Sequence, residues 1–261
     1  MWPTGAFPAW LIANTCLLLS EISQKKVFLS QHMTDYGITT FDRLGELPQV
    51  TNASKAVARG ATSIGVKAAD GVVLASEKKA LSPLVDMSSI QKVFIVDDHI
   101  GMTYSGLAPD SRVLVQEARS VCAGYRMQFS EEMPVLQLVR ELGKIYQDST
   151  QARGMRPFGV SLIIGGIDST GVHVYQIDPS GTFLPWKACS SGKNAQAAKS
   201  FLEKRYKDTD EIDDVVHTAL LTLKDGLDGK MTPENTEVLR ITARGAEVLS
   251  AQVLQDYIEQ I

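Results

Sequence analysis

The 261 residues are 44% hydrophobic and 21% charged, a composition that excludes disorder over the whole length and suffices to bury a sizeable core. The 26 Lys and Arg against 30 Asp and Glu leave a net charge of -4, so the chain has no electrostatic footprint for a nucleic-acid backbone, and nucleic acid is excluded as its main partner. Cys16, Cys122 and Cys189 are an odd number at wide spacings, which fits neither a disulfide framework nor a zinc site and points to a reducing compartment.

Residues 1–32 differ from the rest. Their apolar run, 7–19, is interrupted by Pro8, Asn14 and Thr15; it is too short to span a bilayer and has no basic residue ahead of it, as a secretory signal would. We expect a leader over 1–32, disordered or absent from the mature chain, with Met33 as a candidate alternative initiator, a folded domain over 33–261, and no membrane partner.

In 47–58, Val50, Ala53, Ala56 and Val57 fall three or four apart with Gly60 after them, which predicts a short amphipathic helix. The runs 62–69 and 72–79 read as strands joined at Asp70-Gly71, a strong hairpin signal. A second strand pair is expected at 92–96 and 100–105 across Asp97-Asp98-His99. The period then changes. Pro109 followed by Val113, Leu114, Val121, Cys122 and Tyr125, and Pro134 followed by Leu138, Leu142, Ile145 and Tyr146, describe two amphipathic helices with proline near each N-terminus.

Strands return at 158–167, 172–177 and 182–188, punctuated by Asp168-Ser169-Thr170-Gly171 and Asp178-Pro179-Ser180-Gly181, both good turn sequences. Two more helices over 195–206 and 212–227, a strand at 238–242 and a terminal helix from Ser250 complete the order. Strands in runs separated by helices in runs mean antiparallel sheet covered by helices. The fold class expected is α+β, a four-layer α/β/β/α sandwich of two antiparallel sheets.

Isolated catalytic motifs are absent from this sequence. Gly159-Val160-Ser161-Leu162-Ile163 lacks the last glycine of a nucleophile elbow and lies in a strand, so Ser161 reads as a core serine. Asp213, Asp214 and His217 share a helix at metal-ligand spacing, but this pattern is more simply a solvated face. No phosphate loop, HExxH or CxxC occurs, and neither a cofactor nor a metal is expected.

Several stretches together resemble the proteasome alpha-type subunits, and within that family the second alpha type. They are Tyr36 with Thr39-Thr40-Phe41; Ser63-Ile64-Gly65-Val66-Lys67-Ala68 with Gly71-Val72-Val73-Leu74-Ala75; Arg156-Pro157-Phe158-Gly159-Val160-Ser161-Leu162; Trp186-Lys187-Ala188; Phe201-Leu202-Glu203-Lys204-Arg205-Tyr206; and 217–224. The resemblance runs from about Met33 to the C-terminus and implies the N-terminal-nucleophile hydrolase fold.

It also implies a role. Beta-type relatives are threonine proteases in which the first residue of the processed chain is nucleophile and its α-amine the base. The equivalent start of the first strand here is Ala61, without a hydroxyl, although Glu77 and Lys92 match a beta subunit's acid and lysine. The resemblance therefore implies no catalytic residue, but a silent alpha-ring subunit of the 20S core. Its implied partners are other alpha subunits in a seven-membered ring, beta-ring subunits, a regulatory cap or activator ring, and unfolded polypeptide in transit, in cytoplasm and nucleus, for ubiquitin-dependent degradation. An independently active hydrolase processed to Thr62 is the alternative.

Site roles follow from the same resemblance. Lys67 is implied to meet the terminal carboxylate of an activator tail. Tyr36, Phe41, Asp42 and Gly45 are implied to form the gate tail and turn within 33–60. The family's Ser-Pro-x-Gly turn is replaced by Asp42-Arg43-Leu44-Gly45, which still suits a tight turn, with Asp first and Gly last.

Overall fold

The structure is a computed structural model that describes residues 40–79, 82, 84–152, 154–227 and 229–261. The expected leader, Met33 and Tyr36 lie outside the described residues. The chain falls into two units, residues 1–48 and 49–261.

Helix α1 spans Pro48–Ala58 and buries Ala53 and Val57, the positions its spacing singled out. Two strand pairs follow: β1 (Ser63–Lys67) with β2 (Gly71–Glu77), and β3 (Val93–Asp97) with β4 (Ile100–Gly106). Next come helices α2 (Ala108–Phe129) and α3 (Val135–Gln151) and strands β5 (Val160–Asp168), β6 (Gly171–Ile177), β7 (Phe183–Pro185) and β8 (Ala188–Ser191). Helices α4 (Ala195–Arg205) and α5 (Ile212–Gly226), strands β9 (Thr236–Thr242) and β10 (Gly245–Val248), and helix α6 (Ala251–Glu259) complete the order.

Proline sits in the first turn of α2, where its missing N–H is not needed. At the start of α3 the Val135 N–H donates to Asp168 Oδ2 at 3.1 Å, placing a carboxylate at the positive end of the helix dipole.

The strands form two five-stranded sheets, β10-β9-β2-β1-β8 and β3-β4-β5-β6-β7, and every pairing is antiparallel. Three apolar clusters fix the layering. Leu114, Leu138, Leu142 and Tyr146 of α2 and α3 pack on Met102, Leu162 and Ile177 of the second sheet. Leu202, Val216, Ala219 and Leu220 of α4 and α5 pack on Ile64, Val66 and Val73 of the first. Val72, Leu74, Leu239 and Ile241 of the first sheet meet Val93, Ile163 and Val174 of the second. Strand alternation supplies both faces: Ile64 and Val66 point to helices while Gly65 between them faces the other sheet, where an added Cβ would lie 2.5 Å from Ile163. The layers are helix pair, sheet, sheet, helix pair, as the element order implied.

Three details depart from the sequence reading. The first hairpin closes one residue earlier than Asp70-Gly71: Ala68 N–H donates to Gly71 O at 2.8 Å, leaving Ala69 and Asp70 at the tip and Gly71 in the strand. There a Cβ would come within 2.4 Å of the Ile241 carbonyl, so this glycine serves close strand approach. The run 182–188 divides: β7 ends in the second sheet and β8 begins in the first, paired to β1. Strand β10, absent from the sequence reading, forms the edge beside β9.

Candidate functional site at the head of the first strand

Between α1 and β1 the backbone is held closely. The Gly60 carbonyl accepts from Lys193 N–H at 2.9 Å, and the Ala61 carbonyl accepts from Ser105 Oγ at 3.0 Å. A Cβ on Gly60 would lie 2.3 Å from Gly106 N. Ala61 is thus an internal residue whose nitrogen is a peptide nitrogen and whose side chain carries no oxygen.

Around it lies a buried polar cluster. Thr62 is 3% exposed, its N–H faces Glu77 Oε2 at 3.5 Å, and its Oγ1 has no hydrogen-bond partner. Ser63 Oγ lies 2.6 Å from the Tyr104 carbonyl, to which it donates, and 2.8 Å from Ser76 Oγ. Lys92, 5% exposed, donates from Nζ to the same carbonyl at 2.7 Å, with Nζ 3.8 Å above the Tyr104 ring. Burial pulls its ammonium from 10.5 down to about 8, against the attraction of Glu77 and Glu237. Glu237 Oε2 accepts from Lys92 N–H at 2.7 Å and Val93 N–H at 3.1 Å, and Oε1 pairs with Lys78 at 3.1 Å.

Glu77 and a buried ammonium lowered to about 8 therefore flank a strand head that lacks both a hydroxyl and a free α-amine at Ala61. Sequence reading found Ala61, Glu77 and Lys92 through resemblance. It missed Ser76, Ser105 and Glu237 and the partners of Ser63, because a serine in an apolar strand carries no local sign of its partner across the sandwich.

The other candidates sit elsewhere. Phe41, exposed, leads into a turn in which Asp42 Oδ1 accepts from Leu44 N–H at 2.8 Å and Glu46 N–H at 2.9 Å. Gly45 N–H donates to Asp42 O at 3.1 Å, and Gly45 has φ +80°, a conformation that favours glycine. Asp42 and Gly45 are therefore brought together in one turn.

Lys67 ends β1, half-buried, and its N–H donates to the Lys187 carbonyl at 2.8 Å. Lys187 Nζ lies 2.7 Å from Asp208 Oδ2. That hydrogen bond first, and the charges of Lys187 and Lys67 after it, hold the Asp208 carboxyl below its ordinary range. The ion partner of Asp208 is therefore Lys187, with Lys67 contributing through its charge. Ser161 is a buried β5 serine donating to the Ile177 carbonyl at 3.0 Å. Asp213 accepts from Tyr257 Oη at 2.7 Å and lies 3.6 Å from Arg240, so it ties α5 to α6 and β9.

Two face-to-face antiparallel sheets between helix pairs, with the polar cluster at the head of the first strand, define the sandwich of the N-terminal-nucleophile class, here entered through a preceding helix. The family model described as proteasome subunit matches residues 57–241. Proteasome subunit alpha type-2 of Trypanosoma brucei brucei is 54% identical over 228 residues, covering 87% of this chain and 99% of that protein. The alpha type-2 subunits of Oryza sativa subsp. indica and Drosophila melanogaster are 47% and 46% identical, each covering 87% of this chain and 97% of the relative. The chain belongs to the proteasome subunit family, as an alpha subunit.

Proposed function

We propose that this chain is a non-catalytic structural subunit of the alpha ring of a 20S proteasome core, assembled with other alpha subunits and with beta subunits. The observation that carries the proposal is the internal position of Ala61. A threonine-type mechanism needs a hydroxyl and a free amine on one residue, and Ala61 supplies neither. Processing to Thr62 would require cleavage within a segment pinned by Ser105 and Lys193, at a residue 3% exposed.

In this role residues 33–60, the turn held by Asp42 and Gly45 among them, serve the gate through which unfolded polypeptide passes. A regulatory cap docks on the same ring, and the particle serves ubiquitin-dependent degradation in cytoplasm and nucleus. The assignment of Lys67 to an activator's terminal carboxylate rests on resemblance alone.

The test is isolation of the chain by a C-terminal affinity tag under native conditions, reading subunit masses and peptidase activity across a sizing column. Co-elution with a multi-subunit peptidase, with residues before Thr62 retained, is expected. A small species with its own activity, or a chain beginning at Thr62, would overturn the proposal.

A further inference from the structure

The turn between β3 and β4 meets the loop between α2 and α3 through His99 and Met133. His99, in that turn, is 7% exposed. Its Nε2 lies 2.8 Å from the Met133 carbonyl, which can only accept, so Nε2 carries a hydrogen. Nδ1 of a neutral ring is then a bare lone pair. It is buried without a hydrogen-bond partner and lies 3.9 Å from Asp97 Oδ2 and 3.9 Å from Glu132 Oε2.

The surrounding charges do not resolve this arrangement. From α2, Arg126 is committed to Asp97 Oδ1 at 2.6 Å, leaving Oδ2 for the ring. In the turn itself Asp98 adds a further carboxylate, and the α2–α3 loop adds Glu131 beside Glu132. On β5, whose Ile167 N–H donates to the His99 carbonyl, Asp168 is occupied by Val135 N–H, Thr170 and His173. On β10, whose Ala246 N–H donates to the Asp98 carbonyl, Glu247 is paired with Arg240. Arg119 of α2 is spent on the Ile95 carbonyl and Arg244 lies in the β9–β10 turn, and the charged groups within 4 Å of Nδ1 among the described residues, Asp97 and Glu132, are both carboxylates.

We propose that His99 is a proton-operated clamp: one proton taken up at Nδ1 lets the ring donate to Glu132, fastening the α2–α3 loop to the β3–β4 turn. Asp97 lies on the same turn as the ring, so of the two carboxylates only Glu132 crosses to the α2–α3 loop, where it adds a second link to the Met133 bond. The Met133 bond persists in both states and holds the ring in place for the exchange. Glu132, 64% exposed at its side chain, is free to close the remaining distance. Uptake of that proton therefore tightens this end of the molecule.

The experiment is amide hydrogen exchange of peptides covering 130–134, corrected for intrinsic rates, on the full chain as isolated with its assembly partners. It is run at about pH 8 and about pH 6, either side of the usual imidazole range, with a chelator present so that no metal ion stands in for the proton. Protection is expected to rise by about two- to fivefold at the lower pH, the span of a partly exposed ion pair. The rise should vanish in Glu132→Gln, whose exposed side chain makes misfolding no obstacle, and in His99→Gln. An unchanged rise in Glu132→Gln, or no rise in the parent chain, would overturn the clamp.

Discussion

Replacing Lys92 by methionine keeps the length of the side chain and removes a buried ammonium. The displacement of that ammonium from 10.5 to about 8 corresponds to about 3 kcal/mol by which burial disfavours the charged form. A base whose folded value is depressed binds fewer protons folded than unfolded between these limits, so its contribution to stability rises with pH from about 8 to 10.5. Below about 8 the folded chain carries the full cost.

Methionine loses the bond to the Tyr104 carbonyl, but Ser63 Oγ still satisfies that carbonyl. Glu237 also keeps Lys78 and two backbone amides. Lys92→Met is therefore expected to stabilise the fold at neutral pH by about 1–3 kcal/mol, a gain that shrinks towards zero as the pH approaches 10.5.

The assay is urea unfolding of parent and variant chains over that range. Taking the difference between the two cancels the opposite trend of other groups. Burial raises Cys122 and Cys189 to about 12, and it also raises Tyr104, Tyr146 and Tyr175. The unfolded chain therefore releases those protons first and gains on the fold at alkaline pH. A difference that stays constant with pH, or a variant less stable at neutral pH, would refute the buried-charge reasoning.

Asp110→Asn should cost about 1–2 kcal/mol at neutral pH. The hydrogen bonds from Arg156, at 2.7 and 2.8 Å, and from Gly159 N–H, at 3.0 Å, hold the carboxyl below 3.8. The lowered value contributes stability above about 3.8 that is lost as pH falls through the folded value, so chemical unfolding should show the penalty fading in acid. Gly71→Ala should lower thermal stability by about 1–3 kcal/mol, because the new methyl meets a backbone carbonyl at 2.4 Å rather than a side chain that can turn away. An unaltered melting temperature would contradict that packing. Ala61→Thr restores the hydroxyl but leaves the nitrogen acylated, so fluorogenic-peptide assays of the isolated full chain should stay at background. Activity above it would show that a free amine is generated after all.

The helices were legible because each carries its own signal: Pro109 and Pro134 mark starts, and Leu138, Leu142 and Tyr146 trace a single buried face. The two-sheet stack followed from element order. The splitting of 182–188 was not legible, because Phe183 and Ala188 belong to one continuous strand-like run and only their partners, Ile177 in one sheet and Val66 in the other, separate them. β10 is four residues long, too short for alternation to register. At the site, Ala61, Glu77 and Lys92 came from resemblance. The Ser63–Tyr104 and Glu237–Lys92 bonds join residues 41 and 145 positions apart, and no local pattern encodes such a partner.

Those long-range bonds bear on why the head of the first strand keeps so much polar machinery. Ser63 and Glu237 belong to one sheet, and Tyr104, Val93 and the adjoining Lys92 to the other. The Ser63 hydroxyl and the Glu237 carboxylate therefore cross the gap between sheets at one end, where the apolar stack of Leu74, Ile163 and Leu239 gives way. Apolar contact between two sheets is non-directional and tolerates sliding, whereas a carboxylate receiving two amide hydrogens fixes one relative position. Lys92 costs stability as a cation, yet its own backbone N–H is half of that carboxylate clamp. The side chain can accordingly be replaced while the clamp survives, and this separates the charge, which Lys92→Met removes, from the registration of the sheets, which requires Glu237.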